Sequence, residues 1–212
     1  MRQLLITGLA AALLAGHATA QESTLARIKS TGSVTMGVRD ASVPLSYQLA
    51  DGVAVGFHVD LCKRVLATIQ QQLQLPRLDI KYQTVTSQNR LPLVQNGSVD
   101  IECGSTTNNL ARQKDVSFAL TTYIEEVRMA VRADSGLRSI RDLQGRKVVA
   151  TTGTTSVQHL RRHERAGGLN IDEVYGKDHA ESFLMLETGR ADAWVLDQGV
   201  MKGAIANARN PA

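Results

Sequence analysis

The chain has 212 residues, with 24 Lys and Arg against 20 Asp and Glu and only 4% aromatic residues. Apart from a small cluster at Arg161-Arg162 the basic residues are scattered, which excludes the continuous basic stripe with stacking partners that a nucleic-acid surface needs. The mild positive balance instead suits attraction of an anionic ligand.

The first twenty residues form a unit of their own. Arg2 supplies a short positive region, residues 4–14 an apolar run, and Ala18-Thr19-Ala20 an A-x-A cleavage site. Residues 1–20 are therefore expected to be a signal peptide, cleaved before Gln21. Losing Arg2 leaves 23 basic against 20 acidic residues. No later segment reaches the roughly 18 uncharged apolar residues that a membrane span requires.

Beyond the leader, the pattern alternates. Residues 33–39 read as a strand and 42–47, with Pro44, as a loop. Gly56 opens a helix in which Phe57, Leu61, Val65, Ile69 and Leu73 recur at helical spacing. Residues 79–85 form a β-branched strand, 90–95 a short helix ending at Asn96-Gly97, and 99–103 the next strand. This βαβαβ order predicts a mostly parallel sheet with helices on its faces.

After Arg112 come two short segments, 116–119 and 121–123, and then a strong strand at 127–132. A second series follows: strand 147–150, a Thr/Gly turn, helix 156–165, strand 173–175, helix 180–189, strand 192–196 and helix 198–206. The fold class expected is α/β in two lobes, 21–122 and 123–212, with a cleft between them. Nothing near Asn210 resembles a natural finish, so the second lobe is expected to be cut short. Cys62 falls on a helix and Cys103 near a strand end. Two cysteines this far apart do not define a disulfide, and the question of a bridge stays open.

Polar groups collect at the strand ends, where open α/β sheets bind ligands. They are Arg39, Ser87 with Arg90, Ser105 with Thr107 and Arg112, then the turn 152–156 with Thr155, His179 after Lys177-Asp178, and Asp197. Three arginines, a histidine, hydroxyls and one carboxylate suit a ligand with two carboxylates and one ammonium. Each charge-assisted hydrogen bond contributes about 1.5–3 kcal/mol, so a few converging ones reach micromolar affinity, about −8 kcal/mol. Singly, each has a plainer reading: a solvated Arg39, helix caps at Asp178, at the turn 152–156 and at Asp197. The chain carries no nucleophile elbow, no G-x-G-x-x-G after a strand, no P-loop, no H-E-x-x-H and no Cys/His spacing for a metal. No catalytic residue, cofactor or metal is expected. An enzyme would have to rest on His179 with Asp178 or Asp197.

Several motifs together resemble the periplasmic glutamate/aspartate-binding proteins, amino-acid solute-binding proteins of ABC importers. They are Ser42-Val-Pro-Leu-Ser-Tyr47, Thr86-Ser-Gln-Asn-Arg-Leu-Pro-Leu93, Glu102-Cys-Gly-Ser-Thr-Thr-Asn-Asn109, Lys177-Asp-His179 and Ser182-Phe183. The resemblance covers essentially the whole mature chain, and Gly-Ser-Thr-Thr-Asn-Asn with Thr-Ser-Gln-Asn-Arg marks its acidic-amino-acid branch. It implies a two-lobed, periplasmic-binding-protein-like (type II) fold that closes on one amino acid in the periplasm and docks, as a monomer, on a membrane permease.

Carried over by position, Arg112 grips the α-carboxylate with Thr107 and Thr155. Asp197 holds the α-ammonium with Ser105 contributing, and Arg39, Ser87, Arg90 and His179 surround the side-chain carboxylate. Thr121–Tyr123 lies at the first lobe crossing. Two departures stand against the resemblance. The C-terminal part of the fold is missing, and Gln198 stands where the family usually has a second acidic residue. Rival expectations are a dehydratase-like enzyme on the same fold, a ligand-sensing module of a receptor, and a nonfunctional truncated fragment.

Overall fold

A computed structural model describes residues 23–209, so the expected leader at 1–20 lies outside the described residues. The chain runs α1 (Thr24–Thr31), β1 (Ser33–Val38), β2 (Ala41–Ser42), β3 (Ser46–Gln48), β4 (Ala54–Val55), α2 (Phe57–Gln72), β5 (Asp79–Thr84), α3 (Arg90–Gln95) and β6 (Ile101–Glu102). A 3-10 turn at Arg112–Lys114 precedes β7 (Val127–Val131). Then follow β8 (Lys147–Thr151), α4 (Thr155–Gly167), β9 (Asp172–Gly176), α5 (His179–Glu187), β10 (Ala193–Asp197) and α6 (Gln198–Ala206).

Two α/β sheets result. The first has the order β5-β1-β6, all parallel, and the second the order β7-β10-β8-β9, parallel except for β7. Parallel strands joined through helices send their carboxyl ends to one edge, and that edge carries the polar groups. A small antiparallel meander, β2-β3-β4, branches from the first sheet. Its strands take three of the six residues expected to be loop, Ser42, Ser46 and Tyr47, because strands of two or three residues leave no alternation to read.

The first core gathers Ile28, Val34, Met36, Val38, Val59, Leu66 and Cys103. α2 turns Val59, Cys62, Leu66, Ile69 and Leu73 toward it, a spacing of three and four residues. Phe57 and Val65, expected on the buried face, are about half exposed. Residues taken every fourth position drift about 40° per step around a 3.6-residue helix, so only the later members of that series reach the core. Cys62 and Cys103 are joined by a disulfide, with their Cα atoms 6.3 Å apart. It ties α2 to the end of β6.

The second sheet packs on both faces. Leu143, Val148, Leu160, Ala193 and Val195 fill one side; Val149, Met185, Leu186, Trp194, Leu196 and Met201 fill the other. Leu45, from the meander turn, is buried in this second group. Nearby, a Cβ on Gly203 of α6 would stand 2.6 Å from the Val43 carbonyl oxygen. The two sheets are thus joined by an apolar contact as well as by the chain.

Candidate functional site

The site is built at the ends of the parallel strands. Arg39 directly follows β1 and is completely buried, its backbone N–H donating to Ser46 Oγ at 2.9 Å. After β5 the chain turns through Thr86 and Asn89, which exchange side-chain-to-backbone hydrogen bonds (2.8 and 3.2 Å). Asn and Thr bond to nearby backbone readily, and this turn presents Ser87 and starts α3 at Arg90. Both are buried. After β6 and the disulfide, Gly104 leads into Ser105, whose Oγ donates to Ser42 Oγ at 3.3 Å.

The second sheet supplies the facing wall. Thr155 and His179 begin α4 and α5, and Asp197 ends β10. His179 Nδ1 lies 3.0 Å from Thr151 Oγ1, which in turn lies 2.8 Å from Ser182 Oγ. Asp178 caps α5 by accepting from the Glu181 N–H at 2.8 Å.

The walls meet. Arg112 donates from Nη1 to the Thr107 carbonyl and from Nη2 to the Gly153 carbonyl, both at 3.0 Å. Thr107 and Thr155 hydroxyls stand 3.3 Å apart. Gly153 has φ +80°, and a Cβ there would fall 2.6 Å from the Ser87 carbonyl oxygen, so only glycine fits this approach.

Arg90, Ser105, Thr107, Thr155 and Asp197 line one cavity of about 720 Å³, with Glu102 and Gly104 among its other walls. The cavity continues along an apolar flank at Leu61, Val65, Leu91 and Val94. Arg39, Ser87 and His179 are buried alongside, and Arg112 spans the two walls. All nine residues singled out from the sequence thus belong to one strand-end edge of the two sheets. Sequence reasoning missed Glu102, Thr151 and the Gly153 approach. Glu102 stood in a recognised motif but read as a strand residue.

The electrostatics are unusual for so small a volume. Among the described residues Arg39 has no hydrogen-bond partner for Nε, Nη1 or Nη2, and Arg90 none for Nε or Nη1. Ser87 Oγ and Glu102 Oε1 are likewise buried without a partner. Burial lowers the Arg90 pKa to about 9, opposed first by Glu102, so it remains charged at neutral pH. Burial also lowers Arg39 and Arg112, again opposed first by Glu102. Burial, with Arg39 and Arg90 nearby, pushes His179 well below its usual value and leaves it neutral. Burial, then Glu125, raises Asp197 to about 6 despite Arg90 and Arg112. A buried guanidinium without a partner costs several kcal/mol, of order a protein's whole stability for a few of them. Such donors have the geometry and charge to pair with carboxylate oxygens.

Comparison with known proteins gives the same direction. The model of the bacterial extracellular solute-binding proteins, family 3, matches residues 34–203. The L-glutamate/L-aspartate-binding protein of Pseudomonas aeruginosa is 43% identical over 211 residues, covering 98% of this chain and 70% of that protein. The glutamate/aspartate import solute-binding protein of Escherichia coli is 37% identical over 209 residues, covering 96% and 69%. Among solved structures, arginine-bound truncated ArgBP from T. maritima superposes with a TM-score of 0.76 at 27% identity, over 87% of this chain and 82% of that one.

Proposed function

Because the chain belongs to the bacterial extracellular solute-binding proteins of family 3, we propose that it captures L-glutamate and/or L-aspartate in the periplasm for an ABC importer. Its architecture is the two-lobed type II periplasmic-binding-protein-like fold, and it is a binding protein, not an enzyme. Residues 1–20 act as the cleaved signal peptide, the lobes are 21–122 and 123–212 with the crossing at residues 121–123, and the loaded monomer docks on a membrane permease.

The observation that carries the acidic ligand is the buried, unpartnered guanidinium pair, Arg39 and Arg90. In this reading they bind the side-chain carboxylate together with Ser87 and His179. Arg112, already spanning both lobes, holds the α-carboxylate with Thr107 and Thr155. Asp197 and Ser105 hold the α-ammonium. Contacts drawn from both walls favour the closed arrangement over the open one, so ligand binding drives closure by its differential affinity for the two.

Calorimetric titration of residues 21–212 with L-glutamate, L-aspartate and L-glutamine tests this. Heat from the acidic pair alone is the expected result. Equal binding of glutamine, or no heat from a folded chain, overturns the assignment.

A further inference from the structure

Asp100, Glu102, Glu125 and Asp197 line the cavity, and of these Glu102 has a buried carboxylate oxygen without a partner among the described residues and no ligand contact in the reading above. Its Oε2 accepts a hydrogen bond from Thr106 Oγ1 at 2.8 Å, while Oε1 is buried and unpartnered. A Cβ on Gly104 would overlap Oε1 and lie 2.8 Å from Cγ of Arg39, so the carboxylate and the arginine stem share one spot beside a glycine. Glu102 lines the same cavity as Arg90, Thr107, Thr155 and Asp197. It is also the leading opposite charge acting on Arg39, Arg90 and Arg112 together.

We propose that Glu102 lowers the positive charge of the site, and thereby favours a zwitterionic acidic amino acid over a dicarboxylate that lacks the ammonium. This rests on the acidic-amino-acid reading and deepens it. Arg39, Arg90 and Arg112 bring three positive charges, and Glu102 is the first carboxylate opposing each of them. Of the other carboxylates lining the cavity, Asp100 is paired with Arg27, Glu125 accepts from the Gly199 N–H at the start of α6, and Asp197 is assigned to the ligand's ammonium. Removing the Glu102 charge leaves the site one unit more positive. L-glutamate, with two carboxylates and an ammonium, carries one net negative charge. Glutarate, with the same carboxylates and no ammonium, carries two and offers Asp197 no ammonium. The added positive charge therefore helps glutarate more than glutamate, and between buried groups such a difference acts strongly.

Glu102→Gln keeps the shape and an oxygen for Thr106 but removes the charge. Titrations of the full mature chain with L-glutamate and with glutarate read the effect. The affinity ratio of glutamate to glutarate is expected to fall by about tenfold or more in Glu102→Gln, and to stay near the wild-type ratio in Glu102→Asp. A ratio within twofold of wild type in Glu102→Gln, or an equal fall in Glu102→Asp, overturns the proposal. If Glu102→Gln does not fold, Glu102→Ser goes through the same comparison under the same criteria. Failure of the wild-type chain to bind glutamate or aspartate is a different result, and it overturns the underlying reading instead.

Discussion

In the proposed site the buried Arg90 and the half-buried Arg112 serve opposite ends of the ligand, and single substitutions separate them. Arg112→Ala should abolish binding of every amino acid, because the α-carboxylate is common to all. Arg90→Ala should weaken glutamate and aspartate more than glutamine or asparagine, in parallel titrations. Equal losses across all four ligands would remove Arg90 from the side-chain end. The raised pKa of Asp197 gives a pH signature. Its carboxylate must be ionised to meet an ammonium, and in the unliganded protein it ionises only above about 6. Affinity should therefore be steady between about pH 7 and pH 8, below the Arg90 pKa of about 9, and should drop about tenfold between pH 7 and pH 5. Asp197→Asn should flatten that slope as well as weaken binding.

At the scale of elements, the disulfide and α2 carry most of what is not obvious. The bridge closes a separation of 41 residues and anchors the end of β6, from which Glu102, Gly104 and Ser105 follow. A loop of that size contributes about 4 kcal/mol by restricting the unfolded chain. Urea unfolding with and without reductant should show a loss of this order. The order of strands and helices was legible in the sequence because long strands such as 79–84 and long helices such as α4 repeat their pattern several times. α1 was not: of its eight residues only Ile28 is buried, too little for a periodic signal. The pairing of Cys62 with Cys103 depends on a 6.3 Å approach that no spacing encodes. The grouping of the candidate residues at strand ends was legible for a different reason. In parallel sheets functional side chains collect at strand ends, and those ends are where the apolar runs break into Arg, Ser and Thr. Glu102 escaped because it lies within such a run, before the break at Gly104.

For the whole molecule, the decisive fact is how closely the two walls approach. Gly153 brings its backbone against Ser87 and Gln88 with no room for a methyl group. Gly153→Ala should leave each lobe folded yet oppose their approach, costing about 1–3 kcal/mol by overpacking, or about five- to 150-fold in Kd. Titration together with the radius of gyration in solution checks both halves of that expectation. A last consequence comes from Leu45, the meander residue seated in the second core beside Met185 and Trp194. If the lobes separate in the proposed cycle, this side chain is drawn from the second core into water, and closure on a polar ligand also carries a hydrophobic step. Binding of the proposed ligand should therefore show a negative heat-capacity change, the thermal mark of apolar burial, at a site whose assigned contacts are all polar or charged.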